Sequence, residues 1–412
     1  MQSVEPFSLR ETVRPHLPDA DARLRVVDLF AGCGGLSLGI EQAAVVAGVG
    51  LDIVLALDFE GSATAVYKTN FQEANVVTDS VETYFDGELG DSFTPTEVSV
   101  RALFPEIAIL VGGPPCQGHS NLNNKTRRND PKNELYARMA RAAEVLKPTF
   151  VLIENVPSVR RDTDQVVQKT VDHLESLDYD VATAVVGLQS LGIAQTRRRH
   201  VLLASAEPAV SAQDVLKNLT SRKIDKSKNL RWAIGDLVAV AEPKLYDREP
   251  QANATNLARM QYLLENDEYD LPPAHRPKCH QKAHTYKSMY GRLDWEEPAQ
   301  TVTSGFGSIG QGRYMHPDKP RALTAHEAAR LQGFPDYFDF TSIDLRSQLA
   351  TMIGNAVPPA LMREAAALLI PALGLVKQTV ADVPAIPQNS EEVARVLSGP
   401  LALEERQVQL VS

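Results

Sequence analysis

The residues best suited to do chemistry in this chain fall in four short segments. The first, Gly112-Gly-Pro-Pro-Cys-Gln-Gly-His-Ser120, places Cys116 directly after an apolar run, where a strand of a parallel sheet would deliver it to the carboxyl edge. A cysteine is ordinarily a small buried hydrophobe. Here two prolines stiffen the backbone before it and glycines flank it. The polar stretch from Asn121 to Asn133 adds Lys125, Arg127 and Arg128, cations that favour a thiolate and hence a nucleophile. The second segment, Phe150-Val-Leu-Ile-Glu-Asn-Val-Pro157, closes an apolar run on Glu154. A carboxylate there is either half of a structural ion pair or an acid tuned by burial, and the residues alone leave both open. The third, Gln195-Thr-Arg-Arg-Arg-His200, sets Arg197 and Arg199 on one side of an extended segment.

The fourth segment, Val26-Val-Asp-Leu-Phe-Ala-Gly-Cys-Gly-Gly-Leu-Ser-Leu-Gly39, reads as a strand, a glycine turn and a helix start. Its glycines would admit a ligand to the backbone, and the helix N-terminus favours negative charge. A dinucleotide fingerprint needs Gly-x-Gly-x-x-Gly, and Ser37 stands at the third position, which argues against a nicotinamide dehydrogenase. Asp58, ending the next apolar run, can accept hydrogen bonds from ribose hydroxyls. Asp79 can accept from an adenine amine. Either aspartate alone would read as a strand-end turn residue; the two at successive strand ends fit a nucleoside cofactor.

The elements that must hold these segments follow from periodicity. Strands are expected at Arg25 to Phe30, Ile53 to Asp58, Glu106 to Val111, Phe150 to Glu154, Val181 to Leu188 and His200 to Ala204. Helices are expected near Gly35 to Ala47, Ser62 to Asn70, Glu134 to Leu146 and Asp164 to Leu177. Alternation of this kind gives an α/β domain with a mostly parallel sheet. From 206 to 320 the periodicity fades and proline, histidine and basic residues rise, which suggests a small second domain with few long helices. Thr324 with Glu327 has capping-box spacing for a helix to Gln332, and Pro359 opens another to Ile370. The expected division is an N-terminal extension at 1–22, a first catalytic part at 23–205, the variable region at 206–320, a return at 321–375 and a tail at 376–412. The extension and the tail read as disordered or only partly helical.

The chain has 412 residues with 43% hydrophobic content, enough for one large or two ordinary domains. No uninterrupted apolar run approaches the roughly 20 residues of a membrane span, and the first 20 residues lack an apolar signal core, so a soluble cytoplasmic protein with no membrane partner is expected. Cys33, Cys116 and Cys279 are odd in number and far apart, which predicts reduced thiols. The net charge of -10 opposes a polyanionic partner on average. Its distribution does not: Lys217 to Arg231 carries six basic residues against Asp225, and Arg276 to Arg292 carries five with no acid. His275, Cys279, His280 and His284 invite a zinc reading, but the ligands are crowded and their neighbours basic, so DNA contact is expected rather than metal.

These segments resemble the ordered motifs of the DNA (cytosine-5)-methyltransferase family. The matching residues are Asp-Leu-Phe-Ala-Gly-x-Gly-Gly at 28 to 35, Gly-Pro-Pro-Cys-Gln-Gly at 113 to 118, Glu-Asn-Val at 154 to 156 and Gln-x-Arg-x-Arg at 195 to 199. Arg-x-Leu-Thr at 321 to 324, Ala-Arg-Leu-Gln-x-Phe-Pro at 329 to 335 and Gly-Asn-Ala-Val-Pro-Pro at 354 to 359 complete the series, covering about residues 24 to 370.

The resemblance implies a Rossmann-like methyltransferase domain using S-adenosylmethionine and a target-recognition domain at 206–320. Cys116 matches the thiol that adds to carbon 6 of a flipped-out cytosine and so activates carbon 5. Glu154 matches the residue that protonates or hydrogen-bonds ring N3, a role suited to a carboxyl whose pKa is raised by burial. Arg199 matches the arginine that holds O2, with Arg197 in support. Phe30, Gly32, Gly34, Asp58, Asp79, Pro114 and Asn355 match positions around the methyl donor. Gln117, Ser120, Lys125, Arg127 and Arg128 fall where the closing loop meets duplex DNA. A monomeric bacterial methylase is implied, either solitary or part of a restriction-modification system beside a restriction endonuclease. A tRNA cytosine-5 methyltransferase on the same scaffold is the alternative. Two positions depart from the family pattern: His119 replaces a usual aromatic residue and His326 a usual arginine.

Overall fold

The computed structural model describes residues 7–115, 134–162, 165–237, 245–278, 281 and 288–375. Seven strands form one sheet in the order β3-β2-β1-β4-β5-β7-β6. They are β1 (Arg23–Leu29), β2 (Gly50–Asp58), β3 (Val76–Thr78), β4 (Ile109–Gly112), β5 (Phe150–Asn155), β6 (Asp180–Gly187) and β7 (Arg198–Ser205). The β1/β2, β1/β4, β2/β3 and β4/β5 pairs are parallel, and β7 runs antiparallel to β5. Strands β4 and β5 are buried at every residue, as expected where helices cover both faces.

The helices are α1 (Gly35–Ala47), α2 (Gly61–Asn70), α3 (Pro95–Leu103), α4 (Glu134–Leu146), α5 (Val166–Ser176), α6 (Ala212–Ser221), α7 (Leu230–Ile234), α8 (Ala254–Glu265), α9 (Ala325–Leu331), α10 (Arg346–Asn355) and α11 (Pro359–Leu369). Helix α1 starts and stops at glycines in the left-handed region, Gly34 (φ 93) and Gly48 (φ 71). Helix α9 carries the expected capping box, and Glu327 also grips Arg321 with both oxygens at 2.8 Å.

The chain divides into two compact units. One comprises Pro15–Val186, Arg199–Ser221 and Met362–Ser412, and contains nearly the whole sheet. Its core joins Val27, Leu55, Leu110, Val151 and Leu202 from the strands to Tyr136, Met139 and Leu174 from the helices. Arg363 of α11 donates to Gln42 of α1 at 3.4 Å, and the turn at Ile370–Leu373 packs on α1, so the last described segment lies beside the first motif. The other unit comprises Met1–Arg14, Gly187–Arg198 and Arg222–Leu361, with a small core of Met260, Leu263, Leu271, Ile309, Met315 and Ala322.

Several expectations change. The third apolar run starts at Ile109, because Glu106 adopts φ 56 and breaks the extended backbone. Strand β3 and helices α3, α6, α7, α8 and α10 are additions, and the 12-residue α8 lies in the region expected to be poor in helix. The described part of the N-terminal extension is held to the fold. Leu9 O and Glu11 O accept from the amides of Asp336 and Tyr337, and Arg10 pairs with Asp236 at 2.7 Å. By length and composition the stretch Arg346–Leu373 could pass for a membrane span, yet Ala356 to Pro358 split it into α10 and α11.

Candidate active site

Strand order reverses between β1 and β4, whose followers pair outward in opposite directions, and open α/β sheets bind ligands at that switch point. Both key loops leave the sheet there. After β1, Phe30 (φ 56), Gly32 (φ 55) and Gly34 (φ 93) turn the chain through left-handed conformations into α1. At Gly34 a Cβ would lie 2.7 Å from the Phe71 ring, whereas at Gly32 it would meet nothing within 4 Å, leaving that backbone open to a ligand. Gly32 donates its amide to Asp58 Oδ2 at 2.8 Å, and Glu60 donates to Asp58 Oδ1 at 2.9 Å. Burial, with the nearby Glu60 charge, raises the Asp58 pKa above the usual range despite those donors.

Asp58 pairs across the sheet with Thr78, so Asp79 stands beside it, its amide donating to Asp58 O at 3.1 Å. The two aspartates expected at successive strand ends are therefore neighbours. Asp79 is partly engaged, accepting from the Ser80 amide at 2.7 Å and from Thr83 Oγ1 at 3.2 Å. The sequence reading missed Phe59, whose ring is 64% exposed directly after Asp58 and so offers a face for stacking. Its position after a strand-end acid was the available signal.

Beneath the loop lies Asp28, fully buried on β1. Its Oδ2 is 2.7 Å from Ser37 Oγ, which also accepts from the Tyr67 hydroxyl at 2.6 Å, while Oδ1 has no partner among the described residues. Burial pushes the Asp28 carboxyl up to about 8. Cys33, buried on the same turn, is pushed up to about 12 by burial and is no nucleophile.

After β4, Gly112-Gly-Pro-Pro leads toward Cys116. Gly112 must be glycine, since a Cβ would come within 2.7 Å of Leu29 O and 2.6 Å of the Met139 sulfur. Cys116, Gln117, Ser120, Lys125, Arg127 and Arg128 lie outside the described residues. The approach to Cys116 is held from the next strand: Asn155 Nδ2 donates to Pro114 O at 3.2 Å, and Asn155 Oδ1 accepts from the Val156 amide. In sequence Asn155 is only the middle residue of Glu-Asn-Val; the β4/β5 pairing is what brings it to Pro114.

Glu154, one residue earlier, stands at the carboxyl end of β5. Arg199 on the neighbouring β7 brings Nε within 2.5 Å of Glu154 Oε1, with both side chains largely buried. The structural ion pair and the candidate acid are thus the same carboxylate, buried at the end of β5 with an arginine on the neighbouring strand. The contact lacks hydrogen-bond alignment at Oε1, so the carboxyl retains capacity for another partner.

Arg197 has different work, within the other unit. It is 2% exposed and donates Nη1 to Val302 O at 2.9 Å and Nη2 to Ala356 O at 3.0 Å. Gln195 donates to Leu331 O and Gln332 Oε1 and accepts from the Val302 amide. Gln332 donates to Ile353 O at 2.6 Å. Gly354 permits the approach, as a Cβ there would lie 2.1 Å from Ser304 N. Three motifs separate in sequence are therefore one hydrogen-bonded knot, which ends at the exposed Asn355.

His326, the departure from arginine, sits between Asp247 (2.7 Å from Nδ1) and Asp336 (2.9 Å from Nε2) and stacks on Tyr246. Arg330 grips Asp336 and Asp236. Burial opposes the His326 charge, but the two carboxylates outweigh it and raise its pKa.

The basic runs are partly structural. Lys228 is buried with its ammonium 4.0 Å from the Trp232 ring centre, Arg231 pairs with Glu296, and Arg292 binds Pro317 O and Asp267. His275 stacks on Tyr262; Cys279, His280 and His284 lie outside the described residues.

Residues 24–370 match the family described as C-5 cytosine-specific DNA methylase. The chain belongs to this family. It is 39% identical over 354 residues to the Type II methyltransferase M1.BsuMI of Bacillus subtilis, covering 86% of this chain and 82% of that protein. It is 31% identical to the Type II methylase M.HgiDII of Herpetosiphon aurantiacus, over 82% of this chain and 92% of that one. The fold is similar to that of the S. pombe Dnmt2 methyltransferase, with TM-score 0.58, 18% identity, and coverage of 85% of this chain and all of the other. This DNA (cytosine-5)-methyltransferase is thus an enzyme with an α/β methyltransferase fold, and the family's DNA substrate sets the tRNA alternative behind. The family is S-adenosylmethionine-dependent, and the open Gly32 backbone, the Asp58 and Asp79 acceptors and the exposed Phe59 ring fit a nucleoside-bearing donor.

Proposed function

We propose that this methyltransferase modifies carbon 5 of a flipped-out cytosine within a specific duplex sequence, through a transient bond from Cys116 to carbon 6. The observation that carries this reading is the Glu154–Arg199 pair at the ends of β5 and β7, one strand from the loop that Asn155 fastens at Pro114. Phe30, Gly32, Gly34, Asp58, Asp79, Pro114 and Asn355 would hold S-adenosylmethionine, with Phe59 added as a stacking face. The bound donor supplies an electrophilic methyl group.

The chain's own residues do the rest. The Cys116 thiolate adds to carbon 6, and the electron density displaced into the ring is met by Glu154 at N3, which makes carbon 5 nucleophilic. Arg199 holds O2 and keeps the carboxyl oriented through their shared contact. Water takes the carbon 5 proton, Cys116 leaves carbon 6 as the thiolate, and the proton held at N3 returns to Glu154, which restores the ring. Arg197 braces the Asn355 segment rather than meeting the base. Gln117, Ser120, Lys125, Arg127 and Arg128 would contact DNA, residues 206–320 would choose the sequence, and residues 321–375 would return the chain to the catalytic part, which it re-enters at Met362. A monomer in the bacterial cytoplasm, acting beside a restriction endonuclease, completes the reading.

The test is covalent trapping. Duplex DNA carrying 5-fluorocytosine with the methyl donor should yield a denaturation-resistant protein–DNA complex that Cys116→Ser abolishes. Failure to form an adduct with any cytosine-containing duplex would overturn the mechanism.

A further inference from the structure

A cluster of arginines at the start of α10 is not absorbed by the catalytic reading. Arg346 is the first residue of α10, and its guanidinium lies along the Gly307 backbone, 3.9 Å from the place a Cβ would occupy. Its Nη2 is buried from solvent and has no hydrogen-bond partner among the described residues. Burial lowers the Arg346 pKa, and the nearby charges that add to the effect, Arg248 and Arg321, are both cations. Arg321 is neutralised by Glu327 and Glu249. Arg346 and Arg248 have no such partner among the described residues, Arg248 being exposed on the segment that follows Asp247.

A cationic donor nitrogen buried without an acceptor is destabilising, and repulsion from a second guanidinium adds to it. Folding keeps the arrangement nonetheless. The α10 N-terminus adds positive potential of its own, and Gly307 leaves room beside the guanidinium. Planar guanidinium groups match the paired oxygens of a phosphate.

We propose that Arg346 and Arg248 together form a receptor for one phosphate group, filled by a phosphodiester of the bound DNA. This rests on the DNA reading above and adds a contact that carries affinity without reading bases. It also accounts for how a chain of net charge -10 binds a polyanion, through a few cations withheld from ion pairs.

The experiment uses the full chain with Arg346→Gln, Arg248→Gln, the double variant and Arg346→Lys. On duplex DNA, the slope of log Kd against log salt should fall by about 0.9 in the double variant, the value for one phosphate. Kd should rise by the same factor on cognate and unrelated duplexes. Arg346→Lys, which keeps the charge and preserves folding, should lie between wild type and Arg346→Gln. On the protein alone at fixed ionic strength, inorganic phosphate should raise the melting midpoint of wild type more than that of the double variant. An unchanged salt slope overturns the phosphodiester occupant, and equal phosphate stabilisation of wild type and double variant overturns the receptor. If wild type binds no duplex at all, the DNA reading fails, while the phosphate arm still decides the site.

Discussion

Asp28→Asn is a sharp test of the reasoning because structure sets both its sign and its pH window. The carboxyl is fully buried, holds Ser37 through Oδ2 and leaves Oδ1 without a partner among the described residues. Burial, offset in part by Ser37 and reinforced by Asp58, lifts its pKa from 3.8 to about 8. Below 3.8 the folded and unfolded chains both hold the proton. Between 3.8 and about 8 only the folded chain does, so wild type loses stability as pH rises, at up to about 1.4 kcal/mol per unit. Above about 8 neither holds it and the loss stops growing. Asparagine keeps the shape and a partner for Ser37 but has nothing to titrate. The stability of Asp28→Asn minus that of wild type, from urea unfolding, should therefore climb by about 4 kcal/mol between pH 5 and 8 and then level off. Parallel curves across that range would refute the claim that Asp28 is neutral in the fold.

The remaining predictions concern other links of the chain. Gly354→Ala forces a methyl against Ser304 N and should cost about 1–3 kcal/mol in thermal or urea unfolding, with weaker binding of the methyl donor because Asn355 is displaced. For His326 the folded pKa is raised, so its contribution is complete below about 6.5 and is lost as pH rises through the folded value; the stability gap between wild type and His326→Gln should shrink from pH 6 to 9. Glu154→Gln should lower single-turnover methyl transfer by about 10²–10⁴-fold, and an activity near wild type would remove it from the acid's role.

Much of the chemistry is legible in chain order. The glycine turn at Phe30 to Gly35, the acids that end β2 and stand after β3, and Glu154 ending β5 are strand-to-loop transitions, and a local change of periodicity marks each one. Six strands follow from the same signal with ends shifted by a few residues. Strand β3 has three residues, too few to show alternation, and exists because β2 offers it a paired edge. Helix α3 did carry its signal, since Thr94, Pro95 and Glu97 form a capping box with proline in the first turn, yet few buried apolar positions accompany it.

The roles of the arginines needed the tertiary structure. Arg197 and Arg199 are alike in sequence, two positions apart. One reaches carbonyls 105 and 159 positions away, and the other meets Glu154 across a strand pair. In the same way, the N-terminal extension is held by backbone bonds to Asp336 and Tyr337, and His326 fills an arginine's place because Asp247 and Asp336 flank it. Sequence by itself determined the kind of reaction, because reactive groups sit at turns that neighbouring residues encode. Tertiary structure decided which charges are spent holding the fold and which, like Arg346, remain available, because charge pairing depends on distances that no local spacing contains.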